Sequence, residues 1–418
     1  LCESYELLRL LDFLLAALAE TPTLTVDLPI EQADLFETVR GELGDWDTSA
    51  DDAREGSARK SNTRDFVYWD AIATARERYR TRIRQCLAGE TVTLKVDTLE
   101  SALRAFRAKV QTGLDRAVAL NEGTPPTYFT YEVTEYETLS KTDNQDRSFV
   151  RPLAFAPHVL PLFLEGPVHA LKVAPDIEQA REIHTSVRES ALYDRKLGMY
   201  KVNAPLAGES HELGRCRAFT PGWLENESIW LHMAYKYLLE LLKAGLYEDF
   251  IADFKQALVP FLEPATYGRS PLENSSFIVS SAHPDENLHG RGFVARLSGS
   301  TAEFLSIWRI MMAGQQPFQV RDDQLRLVLQ PALPGWLFCD DGTLTFNFLG
   351  HCTVTYHNPA REDTFAPDVK ISRVALEWDK KHITLDGPNI DAPYAEMVRN
   401  GEIARIHAFF ESTKGDST

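Results

Sequence analysis

The sequence predicts a mainly α-helical chain that ends in an antiparallel β domain. Through most of the first 320 residues, apolar side chains recur with the period of an α-helix. After Pro317 the pattern changes to short alternating runs, separated by Asp-Gly and Asn-Pro turns. We therefore divide the chain into a helical region over residues 1–320 and a β-rich domain over residues 321–418.

The first part of the helical region contains three predicted helices and one insertion. A helix covers residues 1–20, and Pro22 ends it. Two more helical runs fill residues 65–120, with a short β-like run, TVTLKV, between them. Residues 41–64 are polar and rich in Gly, Ser and Asp, which predicts a mobile loop or insertion.

The second part of the helical region begins less clearly. Residues 126–150 show no clear period, and the apolar stretch after them is interrupted by prolines. The run APDIEQAREIHTSVRESAL then predicts a helix with an acidic first turn. Two further helices are predicted over residues 226–246 and 300–313, with YEDFIADFKQALVPFL between them.

Composition restricts the partners and the compartment. The chain has 61 acidic and 44 basic residues, a formal net charge of −17. Such a surface repels phosphate backbones and anionic lipids, so neither nucleic acid nor membrane is an expected partner. Five scattered cysteines without a CxxC pair are typical of a reduced, cytoplasmic protein. The apolar opening carries Arg9 and Asp12 and lacks a basic flank, unlike a signal peptide.

The stretch SGSTAE, residues 298–303, has the pattern of a helix start. Ser300 and Glu303 fit a capping box, which places the first turn of a helix at Ser300. Gly299 allows a close approach of the main chain to a ligand, and free amides at a helix start bind anions. An ordinary capped helix explains the same pattern.

The stretch PGWLENESIWLH, residues 221–232, holds more polar groups than a helix cap requires. Asn226 or Ser228 alone could cap the helix that follows. His232 lies outside the apolar arc of that helix, on the side of Glu225. It could face solvent, or face a cleft as a cation near an anion. Glu225 and Asn226 carry donors and acceptors of the kind that bind sugar hydroxyls.

Residues 270–293 gather polar side chains in a stretch with little helical period, where binding residues tend to lie. The candidate substrate ligands here are Glu273, Asn274, His289 and Arg291.

The sequence gives little support for a metal site, a serine hydrolase or a nucleotide-binding site. A metal set of His283, Asp285 and His289 matches no known ligand spacing, so no metal site is predicted. The chain contains no GxSxG, GxGxxG or GxxxxGK[ST] motif, which argues against a serine hydrolase and a nucleotide-binding protein.

These three stretches, in this order, resemble the cellobiose and chitobiose phosphorylase family, glycoside hydrolase family 94. That family carries a Pro-Gly-x-x-Glu-Asn-x-x-Ile-x-x-His segment, a Glu-Pro or Glu-Asn loop, a His-Gly pair and a Thr-Gly-Thr/Ser-Ala turn. The matching positions are 221–232, Glu273-Asn274, His289-Gly290 and Ser298-Gly299-Ser300. The resemblance covers residues 195–340 and includes the passage into the β-rich tail.

The resemblance implies part of an (α/α)6 barrel, with the sugar site at one mouth and a C-terminal β domain after it. It assigns inorganic phosphate, the co-substrate, to His232, Ser298 and Gly299. Phosphate would attack the anomeric carbon opposite the leaving group, with inversion, so that a single carboxylic acid suffices. No other cofactor is implied.

The sequence departs from the family in two places. The general acid of the family lies in a Trp-Asn-Asp motif, which this sequence lacks. Because residues 1–18 resemble the helix after that acid, we expect the acid upstream of residue 1, in another half of a longer protein. Glu303 stands where the family often has an aromatic residue.

Three hypotheses follow. The first is a phosphorylase that converts a β-linked gluco-oligosaccharide to a sugar 1-phosphate. The second is an inverting hydrolase or transglycosylase of the same fold, which phosphate dependence would distinguish from the first. The third is a sugar-binding fragment without catalysis. Homodimers are common in the family, and the sequence neither supports nor excludes one.

Overall fold

The computed structural model describes residues 1–20, 25–44, 58–294 and 299–412, and of residues 58–63 it describes the backbone alone. The chain divides into two compact units, Leu1–Val173 and Ala174–Thr418. The change from helices to strands predicted near residue 320 therefore falls inside the second unit. Helices precede a C-terminal β-sheet, as the sequence predicts.

The first unit combines helices with two pairs of antiparallel strands. Its helices in the described residues are α1 (Cys2–Glu20), α2 (Ile30–Gly44), α3 (Ala58–Gln85), α4 (Val96–Leu120) and α5 (Glu165–Leu171). Its strands there are β1 (Thr25–Pro29), β2 (Thr91–Lys95), β3 (Phe129–Thr142) and β4 (Ser148–Val159). Strand β1 pairs with β2, and β3 pairs with β4.

Amphipathic helices form the core of the first unit. Tyr5, Leu8 and Leu11 are buried along one side of α1, which packs against α4. The helix predicted over residues 1–20, the two helical runs of residues 65–120 and the strand between them are all confirmed.

The β3–β4 hairpin occupies the segment in which the sequence shows no clear period. Its strands are exposed on both faces for most of their length. Because neither face is buried, apolar and polar residues do not alternate along the strands, and the sequence gives no strand signal. The Asp143 carboxylate closes the turn by accepting from the main-chain N–H groups of Gln145 and Arg147, at 2.8 and 2.9 Å.

The insertion predicted over residues 41–64 is shorter than expected. Helix α2 continues to Gly44 because Leu43 is buried, and α3 already begins at Ala58. Residues 45–57 lie outside the described part of the chain.

The second unit contains a helical part and a β part. The helices in its described residues are α6 (Ile177–Glu189), α7 (Arg215–Ala218), α8 (Leu231–Lys243), α9 (Tyr247–Ala257), α10 (Pro264–Tyr267), α11 (Gly299–Ala313) and α12 (Tyr394–Arg399). The strands there are β5 (Tyr193–Asp194), β6 (Met199–Tyr200), β7 (Ile229–Trp230), β8 (Phe277–Ile278), β9 (Gly292–Phe293), β10 (Phe318–Arg321), β11 (Gln324–Val328), β12 (Thr343–Phe348), β13 (Cys352–His357), β14 (Val369–Trp378), β15 (Lys381–Asp386), β16 (Asn389–Ile390) and β17 (Arg405–Ser412).

Helix α8 is the centre of the helical part. It packs against α9 and α11, and Tyr235, Tyr237 and Leu238 on it are completely buried. Asp176 caps α6 by accepting from the Gln179 N–H at 2.9 Å, which confirms the predicted helix in that segment.

The C-terminal sheet has the order β12-β13-β17-β14-β15. Alternate residues of β13, Cys352, Val354 and Tyr356, are buried, which is the pattern of a sheet with one core face. All neighbours in the sheet are antiparallel except β13 and β17, which run parallel after a long connection through α12. Of the helices in the described residues, none has the length and apolar character that crossing a membrane requires.

Candidate functional site

The segment before α8 is a closed turn, not the first turn of a helix. Its Gly222 N–H donates to the Asn226 carbonyl at 2.8 Å, and Leu224 and Glu227 both have positive φ angles. Gly222 itself has φ +80°, and a Cβ there would lie 2.6 Å from the main-chain nitrogen of His283. This turn therefore approaches the 270–293 loop closely.

The helix predicted over residues 226–246 begins later than expected. Residues 226–228 belong to the turn, Ile229 and Trp230 form β7, and α8 covers Leu231–Lys243. Neither Asn226 nor Ser228 caps it. Helical φ and ψ angles are incompatible with the positive φ of Glu227, which the turn requires. His232 is thus the second residue of α8.

A small sheet of three strands joins the two predicted stretches. Strand β8 pairs with β7 on one side and with β9 on the other. The Trp223 ring packs against Phe277 and Phe293, with centroids 5.1 and 4.7 Å apart. The turn at residues 221–228 and the 270–293 loop consequently form one body, although no sequence spacing indicates this.

Helix α11 supplies the third predicted stretch. It begins at Gly299, one residue before the predicted start, and the Ser300 hydroxyl donates to the Ser275 carbonyl at 3.2 Å. This bond ties the helix start to the 270–293 loop. Ser298, the other predicted phosphate ligand, lies outside the described residues.

His232 lies where α8 meets α11. Its side chain is 36 % exposed and packs against the main chain of Gly299, where an added Cβ would lie 2.6 Å from Cε1 of the ring. Nε2 of His232 lies 3.6 Å from a carboxylate oxygen of Glu303, whose side chain is 18 % exposed. His232 and Gly299, predicted to share one role, therefore do meet, and Glu303 joins them.

Two polar residues of the turn, Asn226 and Glu227, stabilise the turn itself. Asn226 is buried and donates to the Phe219 carbonyl at 2.7 Å. Glu227 forms an ion pair of 2.9 Å with Lys201, with side chains 8 % and 11 % exposed. Part of the polar surplus noted in the sequence therefore holds the turn together.

The remaining candidate ligands lie around this core of the site. Glu225 pairs with Arg215 at 2.9 Å, and the Arg215 side chain extends into solvent. Asn274 accepts from the Tyr235 hydroxyl of α8 at 3.2 Å. Glu273 pairs with Arg269 at 2.5 Å.

His289 and Arg291 lie on the same loop. Lys196 lies 2.9 Å from Nδ1 of His289, and Nε2 lies 2.8 Å from the His283 carbonyl, to which it donates. Arg291 is exposed.

His283, Asp285 and His289, considered as metal ligands in the sequence, form hydrogen bonds within their own loop. Nδ1 of His283 accepts from the Asp285 N–H at 3.1 Å. The main-chain N–H of Asn287 donates to Asp285 and holds the pKa of that carboxyl below its usual range. These side chains shape the loop.

Asp253 is a buried carboxyl close to α8 that the sequence analysis did not identify as a candidate. Burial raises the pKa of Asp253, as a general acid would require. However, Asp253 is enclosed in the core, where it accepts from Tyr200 at 2.5 Å and from Arg188 at 3.0 Å. It has no access to a substrate and acts in packing.

No family model matches this chain, and no curated protein sequence matches it.

Proposed function

We propose that the chain forms part of a carbohydrate-active enzyme that cleaves a β-linked gluco-oligosaccharide with inorganic phosphate, with inversion, to give a sugar 1-phosphate. The contact between His232 and the main chain of Gly299 is the observation that carries this proposal. It puts an imidazole beside the first residue of a 15-residue helix, where free N–H groups and the helix dipole favour an anion.

The surrounding polar residues support a sugar as the second ligand. Glu225 lies on the turn and Arg291 on the loop joined to this helix start, Arg215 pairs with Glu225, and all three side chains are partly or fully exposed. Such groups can donate to and accept from several hydroxyls of a glycosyl unit. In this proposal the helices belong to an (α/α)6 barrel.

One contact favours a second candidate, an inverting hydrolase or transglycosylase. A carboxylate of Glu303 3.6 Å from His232 would oppose a phosphate dianion at the same place. The same carboxylate could act as the general base that activates a water molecule, as inverting hydrolases require. A sugar-binding chain without catalysis remains the third hypothesis.

Product analysis separates the candidates. The protein, together with any native sequence preceding residue 1, is incubated with β-linked gluco-oligosaccharides with and without inorganic phosphate. A sugar 1-phosphate that forms only with phosphate supports the phosphorylase. Free sugar released equally in both conditions supports the hydrolase, and binding without turnover supports the third hypothesis.

A pair of variants tests the role of His232. His232→Ala should raise the KM for phosphate much more than the KM for the oligosaccharide. His382→Ala, at an exposed position of β15, is the matched control and should leave both values unchanged. Equal losses for both substrates in His232→Ala would contradict a phosphate-binding role.

A further inference from the structure

A separate group of potential metal ligands lies in the first unit. Cys2 is in the first turn of α1, and Glu165 and His169 are four residues apart on α5. Residues at this spacing share one face of a helix, and α5 packs against α1. The thiol sulfur, a carboxylate oxygen and an imidazole nitrogen all lie within 4.8 Å of one another.

We propose that Cys2, Glu165 and His169 bind a zinc ion. Zinc accepts exactly this mixture of sulfur, nitrogen and oxygen donors, at bond lengths of about 2.0–2.3 Å. Tetrahedral coordination at those lengths places donor atoms about 3.3–3.8 Å apart. The three donor atoms lie within 4.8 Å of one another, so an ion would draw together any that are farther apart than this range, and a water molecule would complete four ligands.

A neighbouring hydroxyl orients one of the three ligands, as second-shell partners do in zinc sites. Nδ1 of His169 is buried without a hydrogen bond, although it lies 2.8 Å from a carboxylate oxygen of Glu6. The Tyr128 hydroxyl donates to Glu165 at 3.0 Å. Cys2 is buried and the His169 side chain is 12 % exposed, so the ion would be shielded from most competing water.

The experiment uses the whole chain, stripped of metal with a chelator and then titrated with Co²⁺, the spectroscopic substitute for Zn²⁺. A bound thiolate gives a sulfur-to-cobalt charge-transfer band in the near ultraviolet. We expect this band at one cobalt ion per chain, and its loss when Zn²⁺ is added in competition. Cys2→Ser should abolish the band, and His169→Gln should weaken Co²⁺ binding by about tenfold or more.

Cys86→Ser is the matched control, because Cys86 is exposed and outside the group, and it should leave the band unchanged. Circular dichroism of each variant verifies folding, and His169→Gln provides the test if Cys2→Ser does not fold. The absence of the band in the unmodified chain would overturn the proposal. An undiminished band in Cys2→Ser would overturn it too, because the thiolate would then come from another cysteine.

Discussion

The imidazole of His232 lies directly against the main chain of Gly299. A Cβ at residue 299 would lie 2.6 Å from Cε1 of the ring, closer than two carbon atoms can approach without displacement. Only glycine therefore permits this contact between the first turns of α8 and α11. Glycine is required here because there is no room for a Cβ atom, and not because the φ angle is unusual.

Gly299→Ala should displace the His232 ring. We expect phosphate affinity to fall by about tenfold, with a loss of about 1–3 kcal/mol in the free energy of unfolding from overpacking. Calorimetric titration with phosphate and urea unfolding measure the two effects. Gly208→Ala is the control, because an added Cβ there meets nothing within 4 Å. Unchanged phosphate affinity in Gly299→Ala would contradict the proposed anion site.

Glu303→Gln distinguishes the two proposed reactions, because it should improve phosphate binding in a phosphorylase and slow catalysis in a hydrolase. In a phosphorylase, removing the charge 3.6 Å from His232 should lower the KM for phosphate several-fold, because a repulsive neighbour is gone. In a hydrolase that uses Glu303 as general base, the same change should lower kcat by about 10²–10⁴-fold. Steady-state kinetics at several phosphate concentrations measure both. Unchanged kinetics would show that Glu303 has neither role.

Glu227→Gln should destabilise the turn that precedes α8. The change leaves the Lys201 ammonium nearly buried without its partner, which costs about 3–5 kcal/mol in comparable sites. Urea unfolding of the whole chain measures the loss. Glu377→Gln removes one partner of an exposed pair with Arg405 and should cost less than about 0.5 kcal/mol. Similar small losses in both variants would mean that the buried pair is not needed for the turn.

His184 should make stability depend on pH. Burial, partly offset by Asp249, lowers the pKa of His184 from 6.5 to about 4. The neutral ring forms a hydrogen bond with the Tyr237 hydroxyl, with 2.9 Å between Nδ1 and the oxygen. Below pH 6.5 the unfolded chain takes up a proton that the folded chain takes up only near pH 4. Stability from this group is therefore complete above pH 6.5, and about 3 kcal/mol is lost between pH 6.5 and 4.

The measurement compares the free energy of unfolding of the wild type and of His184→Gln at pH 7 and at pH 5. The advantage of the wild type should shrink at pH 5, because the variant lacks the titrating ring. An advantage that stays constant or grows would contradict a depressed pKa.

Local patterns explain which elements could be predicted. Helices α1, α4 and α6 follow from periodicity, since each buries one face. Helix α3 and strand β2 follow from the same kinds of pattern, although their inner faces are only partly buried. The β3–β4 hairpin was missed because both of its faces are largely exposed. The start of α8 was wrong because the positive φ angles of Leu224 and Glu227 come from bonds within a turn, and helix propensity contains no information about them.

The sequence by itself determined the passage from helices to a C-terminal sheet, the acidic composition and the three polar stretches around His232, Glu273 and Gly299. These depend on neighbours within a few positions along the chain. Only the tertiary structure decided that Glu303 lies beside His232, and that Cys2 lies beside His169. Those pairs are separated by tens to more than a hundred residues, and packing between helices brings them together without leaving a spacing in the sequence.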